Sequence, residues 1–338
     1  MQSYLKLVLS TVYLTLVVAC GPATIPETHL TGPTMGTTYN VKYVSTNDIS
    51  AEQLQLKIDA VLVEVNQLMS TYIKDSELSR FNQWQSTERF QLSAQTLLVM
   101  QEAKRLGKLS DGLLDVTVGP LVNLWGFGPQ ARPEKVPTQA QIELAKLHIG
   151  LDKLLLGDNW AQKVDPLLYV DLSTIAKGYG VDRVAEVLEQ QKISDYLVEI
   201  GGEMRLSGKK ANGLDWRVAI EKPVSSERAV ERIISVGNNA IATSGDYRNY
   251  FEENGTRYSH LIDPMTGKPI KHNLVSVTVV HPSSMTADGL ATALNIMGKD
   301  KALQLAETEQ LAVLLITKEA DGFKEYTSSK FAKIVTVH

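Results

Sequence analysis

The chain has 338 residues, 43% of them hydrophobic and 21% charged, which suits one large or two modest domains with a sizeable core and excludes a disordered chain. A formal net charge of −4 with no basic block argues against nucleic acid as the main partner. One cysteine, Cys20, excludes an intrachain disulfide and a zinc site with several cysteine ligands.

Residues 7–19 form a largely apolar run behind Lys6. The run is short for a membrane span and has the size of a signal-peptide core. Leu16-Val17-Val18-Ala19-Cys20 resembles the lipobox of bacterial lipoproteins. The expected organisation is a signal peptide over 1–19, a lipidated Cys20 with a tether over 20–31, and one domain over 32–338. Several acyl chains on one residue would anchor firmly. The alternative is an ordinary signal peptide or an uncleaved anchor with an incidental cysteine. Gly21 lacks the Asp typical of inner-membrane retention and leaves the leaflet open, with the inner membrane favoured.

Residues 32–38 read as a small-residue loop leading into a strand over 39–44. Leu54, Ile58, Val61, Val65 and Leu68 recur at spacings of four and three, an amphipathic helix. A polar segment follows through Tyr72 to Asn82, then a helix over 94–106 ending near Gly107. In the stretches 111–121 and 125–128 the glycines and Pro120 break regular structure, so backbone is presented to something there. Thr138 starts a short helix to about His148. Residues 169–172 read as a buried strand, and Ser173 and Thr174 open a helix, together a ready anion site. Neither a phosphate-loop nor a dinucleotide fingerprint is present.

From Tyr196 the pattern turns to strands over 196–200, 203–207, 216–220, 232–236 and 240–244. Asn254-Gly255 signals a hairpin between 247–252 and 256–262. A strand over 275–280 precedes Met285-Thr286-Ala287-Asp288-Gly289-Leu290-Ala291-Thr292. Thr286 reads as an N-cap, with Leu290, Ala293, Leu294 and Met297 as the apolar stripe. Asp288 and Thr292 then share one helix face. A carboxylate and a hydroxyl so paired suit a magnesium ion that also holds phosphates. The plainer reading is a helix-start Asp beside an ordinary Thr. Strands over 312–316, 324–326 and 334–337 end the chain, and the class is α+β with a largely antiparallel sheet.

Several motifs stand in one order over nearly all of the mature chain. They are Thr34-Met35-Gly36-Thr37, Ser70-Thr71-Tyr72, Leu113-Leu114-Asp115-Val116-Thr117, Asp171-Leu172-Ser173-Thr174-Ile175-Ala176-Lys177-Gly178-Tyr179, Ile200-Gly201-Gly202-Glu203, Ser259-His260-Leu261-Ile262-Asp263-Pro264 and Ala287-Asp288-Gly289-Leu290-Ala291-Thr292. Together they are similar to the ApbE-type FAD:protein FMN transferases. The resemblance implies an α+β core related to the tunnelling fold, FAD as substrate, Mg2+ as cofactor, and lipoprotein export to the bacterial cell envelope, facing the periplasm. The implied reaction moves the FMN half of FAD onto a Thr or Ser hydroxyl of a membrane-associated or exported redox subunit, releasing AMP.

By position, the resemblance implies that Met35, Tyr72, Leu113, Leu114, Asp115, Ser173, Tyr179 and Ile262 line the flavin nucleotide. The Ala176 carbonyl, Asp288 and Thr292 would hold magnesium. Some relatives carry a second acid before the Thr; here Ala291 stands there, so water would complete the ligand set. An aromatic at Tyr72 resembles the transferase type, and other residues there resemble FAD pyrophosphatases. His260 is the expected base, since imidazole titrates at about 6.5. Asp171 competes for that role, and a structural His260 paired with Asp263 is the alternative. Lys177 or Arg248 would touch phosphate or stay solvated. Two other classes stay open: a flavin-carrying acceptor, because 287–293 has a passing likeness to acceptor motifs, and a non-catalytic flavin-binding or trafficking lipoprotein.

Overall fold

The computed structural model describes residues 26–45, 49–128, 136–223, 230–245, 250–253 and 256–338. The leader, Cys20, Arg248 and the Asn254-Gly255 turn lie outside the described residues. The chain is built on an eight-stranded sheet of β1 (Glu27–Thr34), β2 (Thr37–Val44), β3 (Asp195–Ile200), β4 (Glu203–Ser207), β5 (Ala240–Gly245), β6 (Leu274–His281), β7 (Ala312–Glu319) and β8 (Gly322–Thr327). Spatial order follows chain order, and every pairing is antiparallel. The α+β class with a largely antiparallel sheet is the one the residue pattern implied.

Helices fill two of the connections. Between β2 and β3 run α1 (Ala51–Met69), α2 (Ala94–Leu109) and α3 (Ala176–Gln190); between β6 and β7 run α4 (Ser284–Met297) and α5 (Lys299–Thr308). α1, α3, α4 and α5 cover one face of the sheet, and α2 packs against α4 and α1. The other face is covered by the short strands Val218–Glu221, Val230–Ser235 and Thr336–Val337 and by the helix Ser329–Ile334. This sandwich explains why β7 reads as an unbroken apolar run. Val313 and Leu315 face the helices, while Ala312, Leu314 and Ile316 face the opposite core.

α1 begins where Ser50 and Gln53 form a reciprocal capping box. Its stripe Leu54, Ile58, Val61 and Val65 is buried as the spacing requires, with Met69 closing it and Leu68 only half-buried. Each fully buried Leu or Ile there contributes about 1.5–3 kcal/mol.

Several local expectations change. The segment 32–38 is a hairpin, with Met35 and Gly36 at φ 50° and 74° as its two-residue turn. Positive φ at both positions matches the strand twist and joins β1 to β2 directly. β1 starts at Glu27, inside the stretch read as tether, because Leu30 and Thr34 are buried under the sheet's edge. α2 continues through Gly107, since a packed helix tolerates one glycine. Pro120 opens a short helix, Gly119–Leu124, instead of breaking one. Residues 169–172 belong to no strand, although the Asp171 N–H donates to the Val116 carbonyl at 2.7 Å. Ser283, not Thr286, caps α4, accepting from the Thr286 N–H at 3.3 Å. The Thr286 hydroxyl donates instead to Glu102 at 2.7 Å. The last apolar stretch splits into the end of a helix and the two-residue strand Thr336–Val337.

Candidate active site

The site is organised by the close approach of α3 and α4. Asp182 on α3 accepts from the Ser283 hydroxyl at 2.8 Å and from the Ser284 and Met285 N–H groups at 3.0 Å. These are donors that a helix start leaves without partners, so Asp182 fixes α4 against α3. Arg205 on β4 holds Asp182 from the other side at 3.2 Å. One turn nearer the start of α3, the Gly178 N–H donates to Asp288 Oδ2 at 2.9 Å. Only glycine permits this crossing: a Cβ at 178 would collide with the Ser284 carbonyl and sit 2.8 Å from the Asp288 Cβ. Gly178→Ala is therefore expected to cost about 1–3 kcal/mol by overpacking, read as a lowered Tm, and to displace Asp288. An unchanged Tm would contradict this packing.

Asp288 and Thr292 are both buried, on one face of α4, and both line a cavity of about 900 Å3. Burial pushes the Asp288 carboxyl above the usual range, against the Lys177 ammonium and the Gly178 N–H, which favour its charge. Lys177, in the first turn of α3, lies with Nζ 2.5 Å from Glu203 Oε1 and 4.0 Å from Asp288 Oδ1. Burial opposes its charge, but the Asp288 and Glu203 carboxylates overcome it and hold the ammonium above the normal lysine range. Burial raises Glu203 to about 7, with Lys177 pulling it down and Asp288 pushing it up. Its second oxygen, Oε2, is buried without a hydrogen-bond partner.

The same cavity is lined by Tyr72, Leu113, Leu114, Asp115, Asp171, Ser173, His260 and Ile262. Tyr72 is 71% exposed, so its ring is open to stacking. Asp115 Oδ1 accepts from the Thr117 N–H and hydroxyl at 2.7 and 2.6 Å, which fixes the loop, while burial raises its carboxyl. Asp171 Oδ1 accepts from the Ser173 N–H at 2.9 Å, the work of a turn-former.

His260 follows the hairpin strands Tyr250–Glu253 and Thr256–Ser259. Phe251 stacks on Tyr258 at 5.0 Å, Trp125 lies 5.6 Å from Tyr258, and Phe127 meets the His260 ring edge-on at 6.3 Å. The Trp125 indole donates to the Gly267 carbonyl at 2.8 Å and ties this platform to the loop after it. Asp263 accepts from the Met265 N–H at 2.8 Å and from the Thr266 hydroxyl at 3.1 Å. That carboxylate thus shapes its own turn.

Three expected positions lie elsewhere. Tyr179 is buried in the core, because it sits two residues beyond Lys177 and so about 200° round the helix from the cavity face. Met35 packs between two cores and lines a separate shallow hollow with Pro33, Val63 and Ile73. Ala176 is a buried first residue of α3, outside the cavity lining. Lys177, expected to touch phosphate or stay solvated, reaches the cavity, and so does Glu203, which had been assigned no role. An acid directly after the Gly201-Gly202 turn, at the start of a strand, was the available signal.

Among the described residues no group of three or more His, Cys, Asp or Glu side chains is poised around a metal. Magnesium differs from such sites in needing one or two carboxylates, with water and substrate phosphate completing its shell. Asp288 and Thr292 fit that sparse demand. Asp288 Oδ1 has no hydrogen-bond donor within 3.5 Å among its described contacts, and its under-compensated charge favours a cation.

A half-enclosed polar cavity of this size, floored by buried carboxylates and a lysine, defines an enzyme cleft for a charged ligand of nucleotide dimensions. The sequence model of the ApbE family matches residues 35–315. The chain is 58% identical over 306 residues to the FAD:protein FMN transferase of Vibrio cholerae, covering 90% of this chain and 92% of that one. It is 45% identical to the protein of that name from Escherichia coli K12, over 90% and 88%. The solved flavin transferase ApbE from Vibrio cholerae superposes with a TM-score of 0.86 at 55% identity, covering 91% and 99%. The ApbE protein of Thermotoga maritima does so at 0.81 and 28% identity, covering 91% and 99%. The chain belongs to the ApbE family, and it is a transferase.

Proposed function

We propose that this chain moves the FMN half of FAD onto a Thr or Ser hydroxyl of a membrane-associated or exported redox protein, releasing AMP. The observation that carries the reading is the meeting of Asp288, Thr292 and His260 on one cavity, in a chain whose relatives are named FAD:protein FMN transferase. The acceptor hydroxyl oxygen attacks the phosphorus on the FMN side of the pyrophosphate. The bond from that phosphorus to the AMP phosphate oxygen breaks, and AMP leaves with the electron pair. His260 takes the hydroxyl proton. The work of the site is positioning and charge neutralisation. Asp288 and Thr292 would hold magnesium, which when bound neutralises charge on pyrophosphate oxygens. Tyr72 offers a ring for the flavin or the adenine, and Leu113 to Asp115 and Ile262 shape the cavity wall.

The stretch 287–293 supports the enzyme over the flavin carrier. It lies buried in α4 and contributes Asp288 and Thr292 to the cavity floor, whereas an acceptor needs an accessible hydroxyl. The test follows FAD turnover with and without an acceptor protein. Acceptor-dependent AMP release supports transfer; equal release of AMP and free FMN without acceptor identifies a pyrophosphatase instead.

The leader and Cys20 complete the proposal: cleavage, lipidation and a place on the periplasmic side of the envelope, with the inner membrane favoured. Cys20→Ser is expected to leave the protein soluble or uncleaved outside the cytoplasm. Unchanged size and membrane partition of that variant would remove the anchor.

A further inference from the structure

We propose that Lys177, held by Glu203, is a further catalytic residue of this site, its ammonium touching a non-bridging oxygen of the substrate pyrophosphate. The inference rests on the transfer reading above. Among the described residues lining the cavity, Lys177 is the one lysine or arginine. The same lining carries Asp115, Asp171, Glu199, Glu203, Glu221 and Asp288. A pyrophosphate entering so acidic a cavity is repelled unless cations meet it. One magnesium ion balances only part of that charge.

Geometry separates Lys177 from a plain buried ion pair. Its side chain is 32% exposed at the cavity, whereas Glu203 is 5% exposed beneath it. Glu203 binds it through Oε1 alone, and Oε2 takes no partner. Asp288 Oδ1, at 4.0 Å, is too far to accept a hydrogen bond from it. An ammonium has three N–H donors, so Lys177 keeps donors to offer a ligand. Its stem runs along Gly201, where a Cβ would lie 3.5 Å from the Lys177 Cδ and 3.0 Å from the Thr37 Cγ2. Glu199 is used elsewhere, accepting from the Asn40 amide and the Gly202 N–H at 2.7 Å each. The Gly201-Gly202 turn therefore sets Glu203 under the lysine and leaves the ammonium facing the cavity. No proton moves: the ammonium stays charged throughout and donates hydrogen bonds as the phosphorus–oxygen bond breaks. Glu203 is a positioning residue that acts through Lys177.

The test compares Lys177→Met, Lys177→Arg, Glu203→Gln and the charge-balanced pair Lys177→Met with Glu203→Gln. Steady-state transfer to an acceptor is measured beside FAD affinity by flavin fluorescence. Lys177→Met and the double variant are expected to lose about a hundredfold or more in kcat, a loss typical of one removed charge-stabilising group. Lys177→Arg should recover part of it, and Glu203→Gln should lower kcat about tenfold with KM little changed. FAD affinity should stay within about threefold in all four. In the wild type, the 15N-labelled Lys177 ammonium resonance should shift on adding FAD without acceptor, a readout independent of how the variants fold. A double variant with wild-type kcat, or an ammonium resonance unmoved by saturating FAD, overturns the proposal and leaves Lys177 a structural counter-ion. Wild-type protein that transfers no FMN at all overturns instead the reading on which it rests.

Discussion

Asp288→Ala is expected to abolish magnesium-dependent FMN transfer, by about a hundred- to a thousandfold or more, while the fold persists. Groups that neutralise charge developing in a transition state typically carry losses of this size. Asp288 is the carboxylate on the helix face that Thr292 shares, and it is buried at the cavity. Two structural effects of the change oppose each other. The Gly178 N–H loses its acceptor, which costs about 1–3 kcal/mol. A carboxylate that burial disfavours is removed at the same time. Thermal unfolding should therefore shift little, and FAD should still bind, since the cavity walls are untouched. Titration of magnesium into the FAD complex is expected to show binding for the wild type and none for the variant. Full activity of Asp288→Ala in a chelator would remove the metal from the account.

His260→Asn is expected to cut transfer by about a hundred- to ten-thousandfold, with FAD affinity little changed. That equals roughly 3–5 kcal/mol of barrier. A hydroxyl attacks poorly until its proton leaves, and His260 lines the same cavity as Asp288. Its ring is braced by Phe127 on a platform of Phe251, Tyr258 and Trp125, so Asn can replace it without disturbing the packing beneath. Only neutral imidazole can accept a proton. Wild-type transfer should thus fall as pH drops and the imidazole is protonated, and His260→Asn should lack that acidic limb. A variant with near-normal transfer, or with the same limb, makes His260 structural and moves attention to Asp171. Asp171 already spends Oδ1 on the Ser173 N–H.

Much of the scaffold was legible because periodicity reports burial. The α1 stripe and the strands 196–200 and 203–207 follow directly from spacing. So does the pairing of Asp288 with Thr292, because four residues make about one turn. Other features depend on partners distant in sequence. The cap of α4 was misplaced by three residues, since Ser283 and Thr286 are equally good capping residues, and the choice is made by Asp182 about a hundred residues earlier. Residues 169–172 looked like a strand because Tyr169, Val170 and Leu172 are apolar, yet they pair with no sheet. Tyr179 was assigned to the ligand by motif position, whereas helical geometry turns it into the core. Glu203 was hidden for the opposite reason. The Gly201-Gly202 turn before it marks the position, but its role shows only when Lys177, on another element, is brought to it.

Intact-mass analysis of a purified periplasmic or membrane redox subunit, incubated with this protein, FAD and magnesium, tests the central claim most directly. The account predicts a mass increase of one FMN on the acceptor, mapped by fragmentation to a single Thr or Ser, matched by one AMP released and lost in Asp288→Ala. An acceptor of unchanged mass beside protein that has bound FAD, or FMN found attached to this chain itself, would contradict it.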